Sequence, residues 1–286
     1  MQNIINGLPI AAVILLLAVG FAFLVKGADF FVEGSSSIAK KLKVPPIIIG
    51  LTIVAMGTSL PETAVSVTAS LVQNNELAVS NVVGSNIFNL MFVIGVCSIL
   101  TPIMVQKATV VRDIPLSLGC ALFLLVLGIS GLGDKTGMTL GHADGVIFLI
   151  VFAGYIFTMV RSAMKARAAG QKVEIEGVEE CDNMKELSYG KSILFLIVGA
   201  AAIAFGGDLT VDTASRIAIE LGMSQTLVGL TIVSIGTSLP ELVTSVVAAR
   251  KNEVDMAVGN AVGSNIFNIL MVLGISSAIS PVALIR

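Results

Sequence analysis

Sliding the chain against itself by 179 residues aligns positions 46–103 with 225–282 without a gap, and about half of the paired positions are identical. A match of that length does not arise by chance, so one structural unit occurs twice. The same offset pairs Gly27 with Gly206, Asp29 with Asp208, Val32 with Val211 and Ile38 with Ile217, which carries the repeat back into the preceding apolar stretch. Each unit therefore comprises three helices. Hydrophobic residues make up 55% of the 286, and several apolar runs approach the roughly 20 residues that a bilayer-spanning helix needs. A mean hydropathy of +0.97 is too high for a soluble domain.

Apolar periodicity and breakers predict eight spans, at about 8–42, 46–71, 78–100, 115–132, 144–164, 192–221, 226–250 and 256–280. Pro45 and Pro46 end the first. No basic residue precedes the stretch 8–25, which makes it a membrane helix and not a cleaved signal. Helices two and three, and their copies, are expected to be discontinuous. Helices four and five carry no carboxylate or amide well inside them and are expected to be lipid-facing scaffold. Five spans separate a helix from its copy, an odd number, so the copies cross the bilayer in opposite directions. The fold class is an all-α polytopic membrane protein of two inverted-topology repeats, with residues 1–164 as the first half, 165–191 as a loop and 192–286 as the second half. Such repeats place substrate and ion sites near the midplane, between the halves.

Charge sets the orientation. Lys40, Lys41, Lys43, Lys107, Arg112, Arg161, Lys165, Arg250 and Lys251 fall on one side of the alternation, against Lys135, Arg216 and Arg286 on the other. The positive-inside rule then puts the N-terminus outside and the 165–191 loop in the cytoplasm, in a multi-pass protein of the cell (inner) membrane. The formal charge of −2 is near neutral and the basic residues cluster in short loops instead of a stripe, so no nucleic-acid partner is expected; the lipid bilayer is the surrounding one. The acidic run 174–182 lacks an EF-hand pattern and reads as a solvated linker. The three cysteines, Cys97, Cys120 and Cys181, show no metal-ligand spacing. His142 lies in a short outer loop, so no histidine proton relay is available. Asp29 and Glu33, with Asp208 and Asp212, lie toward the polar ends of helices one and six and are expected in structural ion pairs, Lys26 with Asp29 among them.

Each repeat carries the six residues Gly-Thr-Ser-Leu-Pro-Glu, at 57–62 and 236–241, inside an apolar run. A carboxylate buried at that depth costs about 2.5 to 3.5 kcal/mol on insertion scales and points to function. Pro61 and Pro240 cannot donate to the carbonyl four residues back, so each interrupts its helix. Glu62 and Glu241, Thr58 and Thr237, Ser59 and Ser238, with freed carbonyls, make an all-oxygen set suited to a hard cation such as calcium. A second motif, Gly-Ser-Asn-Ile-Phe-Asn at 84–89 and 263–268, sets Ser85 with Asn89 and Ser264 with Asn268 four apart on one helical face. Two carboxylates about 4 Å apart repel by about 4 kcal/mol at an effective dielectric of 20, so the vacant site needs a cation or a proton. If the empty, doubly charged site resists reorientation across the apolar barrier, the carrier switches sides only when loaded, and antiport by charge neutralisation is the expected mode.

The doubled motifs resemble the alpha repeats of the calcium/cation antiporter superfamily, and most of all prokaryotic sodium/calcium exchangers. The resemblance implies that Glu62 and Glu241 bind calcium and share sodium sites. It adds oxygens from Thr58, Ser59, Thr237, Ser238, Ser85 and Ser264, and the backbone carbonyls of Ala55 and Ser234. Where some members carry an aspartate at the last position of the second repeat, this chain has Asn268, so both amide positions are asparagine. That leaves proton coupling and potassium dependence open beside sodium. Members of this type usually have ten spans, and the resemblance implies a second half that lacks the last two. Calcium and sodium are cargo, and no cofactor is expected. A passive cation channel could use the same oxygens, but channels repeat around a pore axis. An intramembrane enzyme lacks a recognisable base beside a nucleophile.

Overall fold

The computed structural model describes residues 5, 7–73, 75–107, 109–130, 139–168, 187–228, 231–232 and 234–284. The first helix, α1 (Ile10–Leu42), ends where Lys43 turns left-handed at φ 54° and the chain meets Pro45 and Pro46. The second span is composite: α2 (Pro46–Ile49), a π-helical turn (Gly50–Val54), α3 (Ala55–Thr58) and α4 (Leu60–Leu71). It bends by 48° at Ser59, whose φ and ψ of −83° and 9° leave the helix. Pro61 falls in the first turn of α4, where a missing N–H costs nothing.

The third span runs through α5 (Asn75–Phe88), a π turn (Asn89–Val93) and α6 (Ile94–Leu100). It is continuous, as is its copy at Val254–Ile279, which corrects the expected breaks in both. The π turn holds an extra residue without interrupting the helix, because no proline removes a donor there. A further π turn (Thr109–Asp113) leads into α7 (Ile114–Ser130), and after β1 (Thr139–Leu140) comes α8 (His142–Ala168). The acidic run and Cys181 lie outside the described residues. The second half contains α9 (Tyr189–Glu220), α10 (Gln225–Val228), α11 (Ser234–Gly236) and α12 (Leu239–Arg250). It closes with α13 (Val254–Phe267), a π turn (Asn268–Val272), α14 (Leu273–Ile279) and β2 (Val282–Ala283). The strands pair antiparallel, Thr139 opposite Ala283 and Leu140 opposite Val282.

Helix bounds repeat at the sequence offset, as in Leu60–Leu71 against Leu239–Arg250 and Asn75–Phe88 against Val254–Phe267. The backbone turns repeat too. Lys43 and Gly222, and Gln73 and Asn252, share positive φ at matching positions. Among the described residues six helices are long and apolar enough to cross a membrane, and the bent pair makes a seventh. The remaining predicted span, 226–250, includes residues outside the described set.

Helices α1 and α9 pack backbone to backbone. A Cβ on Gly199 would meet the Phe31 nitrogen at 2.7 Å and the Gly27 oxygen at 2.8 Å, and one on Gly206 would meet the Leu24 nitrogen at 2.7 Å. Small residues allow such approach, which is how membrane helices gain contact without a hydrophobic drive. Helices α7 and α8 turn many apolar residues outward, as their scaffold reading expects, including Leu118, Leu122, Ile129, Ile150 and Phe157. Their inner faces do more than scaffold. Phe148 and Leu149 cover Gly274, and the Tyr155 hydroxyl donates to the Leu51 carbonyl at 2.9 Å, inside the first π turn. The cover is one-sided: 78% of the most apolar stretch of Val254–Ile279 is buried, against 28% for its copy Leu77–Leu100.

Gly199→Val is expected to force α1 and α9 apart and lower stability by about 1–3 kcal/mol, read as a fall in the melting temperature of purified protein in detergent. Gly154→Ala, where an added Cβ meets nothing, is the control and leaves the melting temperature unchanged or higher.

Candidate ion site

The two bent spans bring their motifs together, and the serines cross over. Ser59 donates to Glu241 Oε1 at 3.0 Å, and Ser238 donates to Glu62 Oε1 at 3.2 Å. Each carboxylate also accepts from the serine of its own repeat's third helix, Glu62 from Ser85 and Glu241 from Ser264, both at 3.4 Å. Glu62 and Glu241 are 0% exposed. Each sits in the first turn of a half-helix, α4 or α12, where unpaired backbone N–H groups favour an anion. The break at Ser59 and Ser238 creates that N-terminus inside the bundle.

The Oε1 atoms are satisfied and the Oε2 atoms are not. Glu62 Oε2, Glu241 Oε2, Asn89 Oδ1 and Asn268 Oδ1 are buried without a hydrogen-bond partner. All four are acceptor-capable oxygens, and leaving such groups buried and unpaired costs about 1–3 kcal/mol each. A hard cation is the partner that would use them together. Among the described residues no three histidine, cysteine or acidic side chains gather, so two carboxylates and neutral oxygens make the whole set.

The other predicted site residues divide. Thr58 and Ser85 are buried beside the carboxylates, and Ser238 also donates to Ser85 at 2.9 Å. Thr237 is buried too, with its hydroxyl 3.2 Å from Asn81 Oδ1. Thr58 reaches Ser264 at 3.5 Å. The Ala55 carbonyl is engaged within its helix, accepting from the Ser59 N–H at 3.0 Å with the Thr58 hydroxyl 3.3 Å away. Ser234 opens α11 as backbone, and its side chain lies outside the described residues.

Sequence reasoning missed two asparagine pairs. Asn81 and Asn260 stand one helical turn before Ser85 and Ser264 and bond across the repeats. Asn86 and Asn265 clamp the third and last spans, each donating to the other's backbone carbonyl, at 3.3 and 3.2 Å. Their Oδ1 atoms in turn accept from Asn268 and Asn89, both at 3.1 Å. The signal was in the repeat, since each pair is one asparagine at the common offset inside an apolar helix.

The surroundings break the symmetry. On one side the Phe31 ring, 2% exposed, lies so close to Gly57 that an added Cβ would stand 2.5 Å from its Cζ. On the other, a cavity of about 420 Å³ is lined by Pro61, Val65, Asp208, Asp212, Thr237 and Pro240. The expected pair of Lys26 with Asp29 forms at 3.8 Å, and Lys251 joins Asp29 at 3.3 Å. Asp208 and Asp212 correct the same expectation: they face the cavity and take part in none of the ion pairs among the described residues. Among the described residues the cavity lining offers them no lysine or arginine to pair with.

The family described as "Sodium/calcium exchanger protein" matches residues 12–161 and 191–286. The sodium/calcium exchanger MaX1 of Methanosarcina acetivorans is 35% identical over 94% of this chain and 83% of its own length. The inner membrane protein YrbG of Escherichia coli is 36% identical over 93% of this chain and 79% of its own. A solved structure of the sodium-calcium exchanger NCX_Mj superposes with a TM-score of 0.77 and 33% identity, covering 96% of this chain and 84% of that one.

Unpaired buried oxygens of this kind predict ligand-linked stability. Calcium at about 100 times its Kd is expected to stabilise the purified protein by about 2.7 kcal/mol, seen as a rise in melting temperature. Glu241→Gln should abolish that rise; an equal rise in the variant would place the cation elsewhere.

Proposed function

The chain belongs to the sodium/calcium exchanger protein family, and from that membership we propose that it exchanges calcium for sodium by alternating access, with both ions bound between Glu62 and Glu241. It is a multi-pass membrane transporter of the antiporter type. The observation that carries the binding site is the set of four buried, unpartnered oxygens on Glu62, Glu241, Asn89 and Asn268. Calcium takes six to eight oxygens at about 2.3–2.6 Å. The two carboxylates would supply the charge. Thr58, Thr237, Ser59, Ser238, Ser85, Ser264, Asn89 and Asn268, with the Ala55 and Ser234 carbonyls, would supply the neutral ligands. MaX1 and NCX_Mj are described as sodium/calcium exchangers, which favours sodium as the counter-ion.

Access is one-sided. The cavity reaches Thr237, Pro61 and Pro240, whereas the Phe31 ring lies against Gly57 where the second repeat sets the smaller Val211 against Gly236. With the lysine-rich loops in the cytoplasm, the cavity lies on the outer half and Phe31 on the inner. This arrangement suits an outward-facing state whose glutamates are closed off from water. Exchange follows from charge. Two bare carboxylates resist passage through the apolar barrier, so the carrier turns over only with cations aboard, and one ion returns for another. The membrane is the cell (inner) membrane, with the 165–191 loop cytoplasmic and the N-terminus outside.

Calcium/proton exchange is the second reading, favoured by Asn89 and Asn268, which leave the site only two carboxylates. Protein in sodium-loaded liposomes, diluted into sodium-free buffer, is expected to take up calcium-45. That uptake should need internal sodium and vanish in Glu62→Gln. Uptake driven only by a pH gradient would select the proton, and uptake that persists in Glu62→Gln would contradict the site.

A further inference from the structure

We infer that Asn81 and Asn260 are positioning residues, each aiming the threonine oxygen of the opposite repeat at the ion. Thr58 Oγ1 lies 3.0 Å from Asn260 Oδ1, and Thr237 Oγ1 lies 3.2 Å from Asn81 Oδ1. The same two asparagines hold their own repeat's glutamate-bearing helix, α4 or α12. Asn81 Nδ2 donates to the Glu62 carbonyl at 3.4 Å and to Ser66 at 3.0 Å, and Asn260 Nδ2 donates to the Glu241 carbonyl at 3.4 Å and to Ser245 at 2.9 Å. Because a backbone carbonyl only accepts, the amide nitrogen must face it and the amide oxygen must face the threonine. The orientation of each amide is thereby determined. The hydroxyl proton then goes to the asparagine.

A hydroxyl has one proton and two acceptor lone pairs. With its proton fixed on Oδ1, the threonine oxygen can offer lone pairs to a cation. Without the asparagine, the Thr58 proton turns to the Glu241 carboxylate or to the carbonyls of Val54 at 3.2 Å and Ala55 at 3.3 Å, proposed ligands among them. Each asparagine thus links one repeat's threonine to the other repeat's glutamate, and both halves of the site are set together. Asn260 and Thr58 are fully buried, which keeps water from replacing the bond between them.

The inference rests on the proposed ion site and is tested by coupling across the repeats. The calcium KM and maximal rate are measured in liposomes for Thr58→Ala, Thr237→Ala, Asn260→Ala and both threonine–asparagine doubles. Asn260→Ala is expected to raise KM about 3- to 10-fold, the worth of one net hydrogen bond, with a smaller change in maximal rate. In Thr58→Ala/Asn260→Ala the increase should fall short of the product of the singles by about threefold or more. In Thr237→Ala/Asn260→Ala it should equal the product. Doubles that behave alike, or coupling to Thr237 instead, would overturn the inference, because a merely structural asparagine does not discriminate between the threonines. Thr58→Ala and Thr237→Ala that both leave KM unchanged would instead contradict the ion site. If Asn260→Ala does not assemble, the mirror cycle, Asn81→Ala with Thr237→Ala and then with Thr58→Ala, carries the same predictions with the threonines exchanged.

Discussion

Two carboxylates share one dry place in the bundle, and each is held by a serine from the opposite repeat. Ser59 bonds Glu241 and Ser238 bonds Glu62, while both Oε2 atoms remain without a partner. Two ionised carboxylates repel by about 4 kcal/mol if about 4 Å apart at an effective dielectric of 20, so such a pair when vacant calls for a cation or a proton. The rest of the fold serves this constraint. Breaks at Ser59 and Ser238 create two half-helix N-termini facing the carboxylates, and the asparagine bonds between the third and last spans hold the halves in register.

The repeat explains why the site is doubly built and why its surroundings are not. Inside, nearly every hydrogen bond has a counterpart at the common offset, down to the pairs Asn81–Ser66 and Asn260–Ser245. Outside, Phe31 stands where the second repeat has Thr210, and among the described residues the last span is far more covered than the third, α8 supplying part of that cover. A symmetric centre in asymmetric walls is the arrangement inverted-repeat transporters use to place sites between their halves.

Much of this was legible in the sequence, for physical reasons. Apolar length revealed the spans, the offset revealed the inverted pair, and carboxylates inside apolar runs marked Glu62 and Glu241. The bend at Ser59 followed from Pro61, which cannot continue the helix before it. What escaped notice depended on tertiary neighbours. The continuity of the third span could not be read from Gly84, since a glycine without a proline permits a helix as readily as a break. Asn81 and Asn260 looked like ordinary polar residues in a helix until their partners across the repeat were in view. Asp208 shares the offset with Asp29 and Asp212 with Glu33, yet of these four only Asp29 is paired with Lys251.

The most direct measurement is a crystal structure of the protein soaked in strontium, read by anomalous scattering. The account predicts one strong peak between the two spans, at about 2.3–2.6 Å from both Glu62 Oε2 and Glu241 Oε2, as a calcium-like ion requires. A structure with the ion at Asp208 and Asp212 alone, or with no peak between the glutamates, would contradict it.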